Sequence, residues 1–222
     1  MTAIVTGAAR GIGRAVADRL RADHEVLLVD RDPAVADLGG IVADVTDPAD
    51  RAAILEAVEG EITVLVNNAG ITRDARIVKM TEEQLLAVLR VNLGAAYELT
   101  RAAIPRFAEG ASVVSLASRA YLGNFGQFNY SASKGGLVGM TRALALELAP
   151  RVRVNAIAPS LTASEMTAAM PEDVLQKMIA SIPLGRMAEP AEIAETIAAL
   201  ASPAMAYVTG QVVVACGGRS LA

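Results

Sequence analysis

Cysteine occurs once in the 222 residues, at Cys216, and histidine once, at His24. Disulfides within the chain are therefore excluded, as are Cys/His zinc sites and catalytic arrangements that need a second histidine. An enzyme built on this chain takes its proton donor from another residue type, and no metal site is expected. There is no basic block either: 20 basic and 24 acidic residues leave a net charge of -4 and a pI near 5.1. A nucleic-acid groove does not fit that balance, which points to small molecules or protein carriers as partners. The first residues, Met1-Thr2-Ala3-Ile4-Val5-Thr6, lack the basic and long apolar regions of a secretory signal, so the cytoplasm is the expected compartment. The stretch from Thr196 to Gly218 lacks any charge, but Ser202-Pro203, Thr209, Gly210 and Gln211 interrupt it, and no membrane span is expected. No tandem repeat or low-complexity segment is present. What remains is an ordinary globular composition, 53% hydrophobic and 20% charged, long enough for one sizeable domain over residues 1–222.

Short apolar runs recur along the chain: Ala3 to Thr6, Val26 to Val29, Ile62 to Val66, Ala111 to Leu116, Val152 to Ile157 and Val212 to Ala215. They show no alternation, as suits strands buried on both faces, and the segments between them carry helical spacing, as in Gly11 to Ala22. Thr81 with Gln84 makes a capping box opening a segment that reads as helical to about Phe107, and Pro190 suits the first turn of a helix over Ala191 to Ala201. Between the second and third strands only a rudimentary helix fits, Pro33 to Leu38 before Ile41, so the sheet is trimmed there. The pattern predicts an α/β fold: a doubly wound, mainly parallel sheet of about seven strands with helices on both faces, in a single Rossmann-type domain.

Thr6-Gly7-Ala8-Ala9-Arg10-Gly11-Ile12-Gly13 follows the first strand and opens the first helix. Backbone amides at that helix N-terminus face whatever lies above the turn, and the glycines let the chain approach it, which suits a pyrophosphate. Asp30 ends the second strand, where a carboxylate accepts hydrogen bonds from ribose hydroxyls and repels a 2'-phosphate, so NAD is favoured over NADP. Arg10 and Arg31 are placed either in solvent or as clamps on such a phosphate.

Tyr130 and Lys134 are four apart at the start of a helical segment running to Ala149, which puts them on one face. Only three lysines, Lys79, Lys134 and Lys177, stand among the 20 basic residues, so a lysine here is a notable choice. A tyrosine with a reference pKa of about 10 needs adjacent positive charge to exchange a proton near neutrality, and Lys134 with an oxidised nicotinamide would supply it.

Thr6-Gly7, Gly11, Gly13, Asn67-Asn68-Ala69-Gly70, Asn92, Ser118 and Tyr130 with Lys134, in that order, resemble the short-chain dehydrogenase/reductase family over nearly the whole chain. Asn67 to Asp74 and Gly126 to Tyr130 further resemble its 3-oxoacyl-[acyl-carrier-protein] reductase branch. The resemblance implies that Tyr130 is the acid in reduction and the base in oxidation, that Lys134 lowers its pKa and binds the nicotinamide ribose, that Ser118 hydrogen-bonds the substrate oxygen, and that Asn92 holds a water relaying protons through Lys134. It places Gly7, Arg10, Gly11, Ile12 and Gly13 at the pyrophosphate and Asp44 with Val45 at the adenine. Asn68, Ala69 and Gly70 line the cofactor groove, and Thr162 meets the carboxamide. It also implies a homodimer or homotetramer.

The chain departs from the family pattern at several places. Ser118 stands one residue closer to Tyr130 than the family spacing, Pro159-Ser160 replaces Pro-Gly, and Cys216 stands before Gly217-Gly218 where an aspartate is usual. The Cys216 thiol reads as packed rather than reactive. Met166, Met170, Met178 and Met187 fall in a segment at about 160–189 that is expected to cover the substrate, where flexible thioethers suit an apolar pocket and equally suit helix packing. Arg73, Arg76 and Arg119 read either as contacts to a phosphopantetheine carrier or as solvated charges. The expected activity is reversible hydride transfer between a nicotinamide cofactor and a ketone or secondary alcohol, with a 3-oxoacyl/3-hydroxyacyl thioester, small or carrier-bound, as the preferred substrate. The alternatives are a polyol, steroid or dihydrodiol, or a nucleotide-sensing scaffold without turnover, which would not need the Ser118, Tyr130 and Lys134 set.

Overall fold

A computed structural model describes residues 1–221, the side chains of Glu165 and Met166 excepted. Seven strands, β1 (Thr2–Thr6), β2 (Glu25–Asp30), β3 (Ile41–Val42), β4 (Ile62–Asn67), β5 (Phe107–Leu116), β6 (Val152–Ile157) and β7 (Val212–Val213), form one sheet in the order β3-β2-β1-β4-β5-β6-β7. Every pairing is parallel. Because β1, β2 and β3 step one way and β4 to β7 the other, the chain reverses direction between β1 and β4, which opens a crevice above their C-terminal ends.

The helices are α1 (Gly11–Leu20), α2 (Pro48–Glu56), α3 (Glu82–Leu89), α4 (Ala95–Ala103), α5 (Phe128–Leu148), α6 (Glu165–Ala168), α7 (Glu172–Ala180) and α8 (Pro190–Ala201). Alternation along the buried strands divides the core in two. Ala3, Val5, Val64 and Val66 pack under Val16 and Leu20 of α1 and Ile193 and Ile197 of α8. On the opposite face Ile4, Leu65, Val113 and Val154 pack under Ile54 of α2, Leu99 of α4 and Leu144 of α5. Apolar runs without alternation thus follow from a sheet covered on both sides.

The helix signals hold where they are local. Thr81 Oγ1 accepts from the Gln84 amide at 3.2 Å and Gln84 Oε1 from the Thr81 amide at 3.0 Å, completing the capping box of α3. Pro190 takes the first turn of α8. The expected long helix to Phe107 is instead interrupted: a π-turn over Arg90–Gly94 separates α3 from α4, which gives way to a 3-10 turn at Ile104–Arg106. Phe107 opens β5 because it pairs with Ile62 and is buried, after which Glu109 and Gly110 bulge out and shift the register. The second crossover is trimmed as expected, to a 3-10 helix over Pro33–Leu38 and a two-residue β3. Among the described residues, no helix is long and apolar enough to cross a membrane.

Candidate active site

The crevice is a cleft of about 850 Å³, walled at one end by the glycine turn and at the other by Ser118, Tyr130 and the segment after β6. At the turn, Gly7 has φ +67°, and a Cβ there would come within 2.7 Å of Asn68 Nδ2. At Gly13 a side chain would collide with the Gly7 carbonyl, so the first turn of α1 can lie against the turn only as glycine. Arg10 stands at the N-cap of α1 with no side-chain cap, and no acidic residue occupies the first turn. The leading amides of α1, which have no partner within a helix, therefore face the cleft beside a backbone that glycine keeps clear. That donor set fits a pyrophosphate, and with it a dinucleotide cofactor.

The turn is held from below by contacts that the sequence reading did not contain. Thr6 Oγ1 accepts from the Asn68 and Ala69 amides at 3.0 and 3.1 Å. Asn68 Nδ2 donates to the Thr6 and Gly7 carbonyls at 2.8 and 2.9 Å, so its amide group is committed to bracing the turn and leaves the groove wall to backbone and to Ala69 and Gly70.

Asp30 lies on the cleft wall at the end of β2 and accepts from the Ala9 amide and the Asp32 amide, each at 3.0 Å. Arg10 is drawn to Asp32 at 3.2 Å while remaining largely exposed, and Arg31 is exposed on the same rim. Asp44 and buried Val45 line the cleft beyond. The Asp44 carboxyl is held below its ordinary value, chiefly by the Thr46 amide at 2.8 Å. Thr162 sits on the far wall, its strand-like bridge to Ala188 tying the segment after β6 in place.

At the catalytic end, α5 buries a polar face: Asn129, Ser133 and Lys134 are buried in the helix half nearest the cleft, whereas Leu137, Leu144 and Ala145 are buried further along. Lys134 Nζ donates to the Leu116 carbonyl at 2.5 Å and lies 5.5 Å from the centre of the Tyr130 ring. Burial pulls the Lys134 ammonium down to about 8. Burial also pushes the Tyr130 phenol above its ordinary value; the nearby Ser118 hydroxyl opposes the shift and Asp74 adds to it. The lowering of Tyr130 that the sequence suggested is thus not produced by the chain alone, because burial outweighs the opposing effect of Ser118.

Asn92 is buried in the π-turn, its Oδ1 accepting from the Ile71 amide at 2.8 Å and its Nδ2 donating to the Ile71 carbonyl at 3.0 Å and to Ser133 Oγ at 3.1 Å. A Cβ on Gly70 would stand 3.3 Å from Asn92 Oδ1 and 3.5 Å from Lys134 Nζ, so Gly70 keeps open a gap between the two groups. π-turns are often found where a helix serves a site, and this one holds Asn92 against the Ile71 backbone and Ser133. Asn129, missed as a site residue, joins three segments: it donates to the Arg73 and Gln84 carbonyls at 2.8 and 3.2 Å and accepts from the Tyr130 amide at 2.8 Å.

The short loop before Tyr130 does not part the two hydroxyls. Ser118 caps a 3-10 turn at Arg119–Leu122, accepting from the Ala120 amide at 3.2 Å, and that compact turn returns the chain to α5. Ser115 is fully buried in β5, away from the cleft lining. Ser118→Ala is therefore expected to lower kcat about 100-fold, as loss of a donor to a developing oxyanion does, with Ser115→Ala changing it by less than about threefold. Steady-state kinetics on both variants checks this, and a larger loss at Ser115 would show that the wrong serine has been placed at the substrate. Of the four methionines, Met170 and Met178 line the cleft, Met187 lines a smaller neighbouring cavity, and the Met166 side chain lies outside the described residues.

Comparison with known proteins agrees with the fold. Residues 7–220 match the family described as Enoyl-(Acyl carrier protein) reductase. The chain is 41% identical to the 3-oxoacyl-[acyl-carrier-protein] reductase of Thermotoga maritima, over 97% of this chain and 96% of that protein. It is 37% identical to the Escherichia coli protein of the same name, with the same coverage. A crystal structure of a short-chain dehydrogenase/reductase from Brucella melitensis superposes with a TM-score of 0.88 at 34% identity, covering 98% of this chain and 95% of that one.

Proposed function

This chain belongs to the short-chain dehydrogenase/reductase family, nicotinamide-dependent oxidoreductases acting on CH-OH/C=O pairs, and from that premise we propose that it reduces 3-oxoacyl thioesters and oxidises 3-hydroxyacyl thioesters reversibly. The observation that carries the reading is the meeting of Ser118, Tyr130 and Lys134 at one end of a cleft whose other end is an uncapped, glycine-lined helix N-terminus. The names of the two reductases support the thioester as substrate.

In this reading Gly7, Arg10, Gly11, Ile12 and Gly13 surround the pyrophosphate, Asp30 takes the adenosine ribose, and Asp44 and Val45 flank the adenine. Ala69, Gly70 and Thr162 border the nicotinamide end. Bound there, the nicotinamide supplies or accepts the hydride. Ser118 and Tyr130 hold the substrate oxygen between their hydroxyls, and Tyr130 delivers its phenolic proton as the oxygen becomes an alkoxide. Lys134, fixed by the Leu116 carbonyl, stands where it can hydrogen-bond the nicotinamide ribose and return a proton toward Tyr130. Asn92 fixes the loop at Ile71 beside that lysine, with Gly70 leaving room for a water in the relay. The segment at about 160–189, with α6 and α7, serves as the cover, and Met170 and Met178 give it an adaptable apolar underside. We place the enzyme in the cytoplasm, where Cys216 stays reduced, and as a homodimer or homotetramer, with exposed Leu86, Tyr97 and Leu146 on α3, α4 and α5 available for subunit contact.

The direct test is nicotinamide absorbance with NADH and NADPH against acetoacetyl-CoA, simple ketones and polyols. Turnover of ketones and polyols without the thioester would overturn the substrate.

NAD(H) is the proposed cofactor. Asp30 meets a free ribose 2'-hydroxyl as an acceptor and a 2'-phosphate as a like charge, and both effects act in one direction. Arg10 is already drawn to Asp32, in a position that solvent screens. A kcat/KM preference for NAD(H) of at least about tenfold is expected, narrowed or inverted in Asp30→Ala. A wild-type preference for NADPH would mean that Arg10 and Arg31 prevail.

A further inference from the structure

We propose that Arg119 and Arg219 form an anion subsite in the cleft, which binds a carboxylate or phosphate carried by the same substrate molecule whose carbonyl meets Ser118 and Tyr130. The proposal rests on the reading of that pair as the carbonyl-binding hydroxyls.

Arg119 directly follows Ser118, and its amide donates to the Pro159 carbonyl at 2.8 Å, which fixes it between the ends of β5 and β6. Arg219 approaches from beyond β7, where Gly217 and Gly218, at φ +60° and +88°, turn the chain back, and its amide donates to the Cys216 carbonyl at 3.1 Å. Both arginines line the cleft. Arg10, Arg14, Arg19, Arg21, Arg101, Arg151 and Arg186 each meet a carboxylate, and Arg51, Arg73, Arg106 and Arg153 donate to backbone carbonyls. Among the described residues neither Arg119 nor Arg219 does, and Arg119 Nε is buried without a hydrogen-bond partner. Burial, and then the charge of Arg119, hold Arg219 below its ordinary value, and Arg119 in turn helps to lower the Cys216 thiol.

Two guanidinium groups lining one cleft, partly removed from water and lacking a carboxylate among the described residues, are an unfavourable arrangement while no anion lies between them. An oxyanion between them reverses the sign of that interaction, and the planar donor fork of arginine suits carboxylate and phosphate alike. The cofactor's phosphates are drawn to the leading amides of α1 at the other end of the cleft, so the anion falls to the substrate. A free 3-oxo acid brings its carboxylate close to the reacting carbonyl; a phosphopantetheine thioester brings a phosphate further along the chain.

The test compares kcat/KM for acetoacetate and for S-acetoacetyl-phosphopantetheine, each divided by that for uncharged S-acetoacetyl-N-acetylcysteamine. Because neither guanidinium has a partner among the described residues, glutamine at either position orphans no internal group. Arg119→Gln and Arg219→Gln are each expected to lower one ratio by at least about tenfold, with Arg219→Lys retaining only part of it, since the charge persists where the fork is lost. Arg142→Gln, on an exposed turn of α5, controls for the loss of one positive charge and is expected to change the ratio by less than about twofold. A fall for acetoacetate assigns the subsite to a carboxylate, and a fall for the phosphopantetheine thioester alone assigns it to a phosphate. Ratios that do not move, or a matching loss of NADH affinity, overturn the proposal. Turnover of the uncharged thioester reports separately on Ser118 and Tyr130. If no substrate is turned over, calorimetric binding of acetoacetate and of S-acetoacetyl-phosphopantetheine decides the subsite: affinity for either one lost in both glutamine variants supports it, and both affinities unchanged in them overturn it.

Discussion

Tyr130→Phe is expected to lower kcat about 10²- to 10⁴-fold in both directions while leaving the dissociation constant for NADH within about twofold. The substitution removes one hydroxyl and keeps the ring, so the packing that holds Lys134 5.5 Å from its centre survives, as does the Lys134 bond to the Leu116 carbonyl. What is lost is the transferable proton beside Ser118. Because burial keeps the phenol protonated through neutral pH, the free enzyme is poised as a donor, the form that reduction needs. Oxidation needs the phenolate, so its rate is expected to rise with pH over a range where reduction does not. Rate measurements from pH 6 to 10 in each direction test both statements. A variant keeping more than about a tenth of wild-type kcat, a barrier change under roughly 1.4 kcal/mol, would remove Tyr130 as the acid.

The parts of the site written within one turn or one helix were legible in the sequence. The glycine turn is contiguous, Tyr130 and Lys134 share a helix face, and Asp30 ends an apolar run, so each carries its own local signal. The interruption at Asn92 was not legible, because the apolar spacing after Thr81 continues through Arg90–Gly94 while the backbone widens to a π-turn. The start of β5 was misplaced for a related reason: Phe107 looks like the last apolar residue of a helix, and only its pairing with Ile62 across the sheet makes it a strand residue. Asn129 bonds to carbonyls at Arg73 and Gln84, and Arg119 approaches Arg219 from the other side of β6; such partners are set by tertiary folding, with no spacing to announce them. The electrostatic state of the site was also beyond the sequence. Proximity of Lys134 suggested a lowered tyrosine, but the sign depends on how deeply both groups are buried.

Lys134 accordingly carries a cost that should be measurable apart from its chemistry. Its ammonium is removed from water with one carbonyl acceptor and no carboxylate among its hydrogen-bond partners, and its pKa falls from 10.5 to about 8. Below pH 8 both the folded and unfolded chains hold the proton, and the folded state bears the full penalty. Between about 8 and 10.5 the unfolded chain binds more protons than the folded one, so this residue makes stability rise with pH across that window. Above about 10 the raised Tyr130 acts in the opposite direction, since the folded state then retains a proton that the unfolded chain loses. Lys134→Met abolishes the first effect and keeps the second. The fall of the Lys134 pKa corresponds to roughly 3 kcal/mol of charge-burial penalty at pH 7, offset in part by the ~1–3 kcal/mol of a Leu116 carbonyl left without its donor. The variant is therefore expected to be as stable as the wild type or more so at pH 7, with a flatter stability profile between pH 8 and 10. At the same time kcat should fall at least about 100-fold and NADH affinity should fall with it, because in the proposed reading one ammonium serves both the proton path and the ribose. Denaturant melts across that pH range, with NADH titrations on the same samples, separate the two roles. A variant that loses stability at pH 7 and keeps the wild-type pH slope would place the Lys134 charge in solvent, and an effect on kcat without any on NADH binding would remove its contact with the ribose.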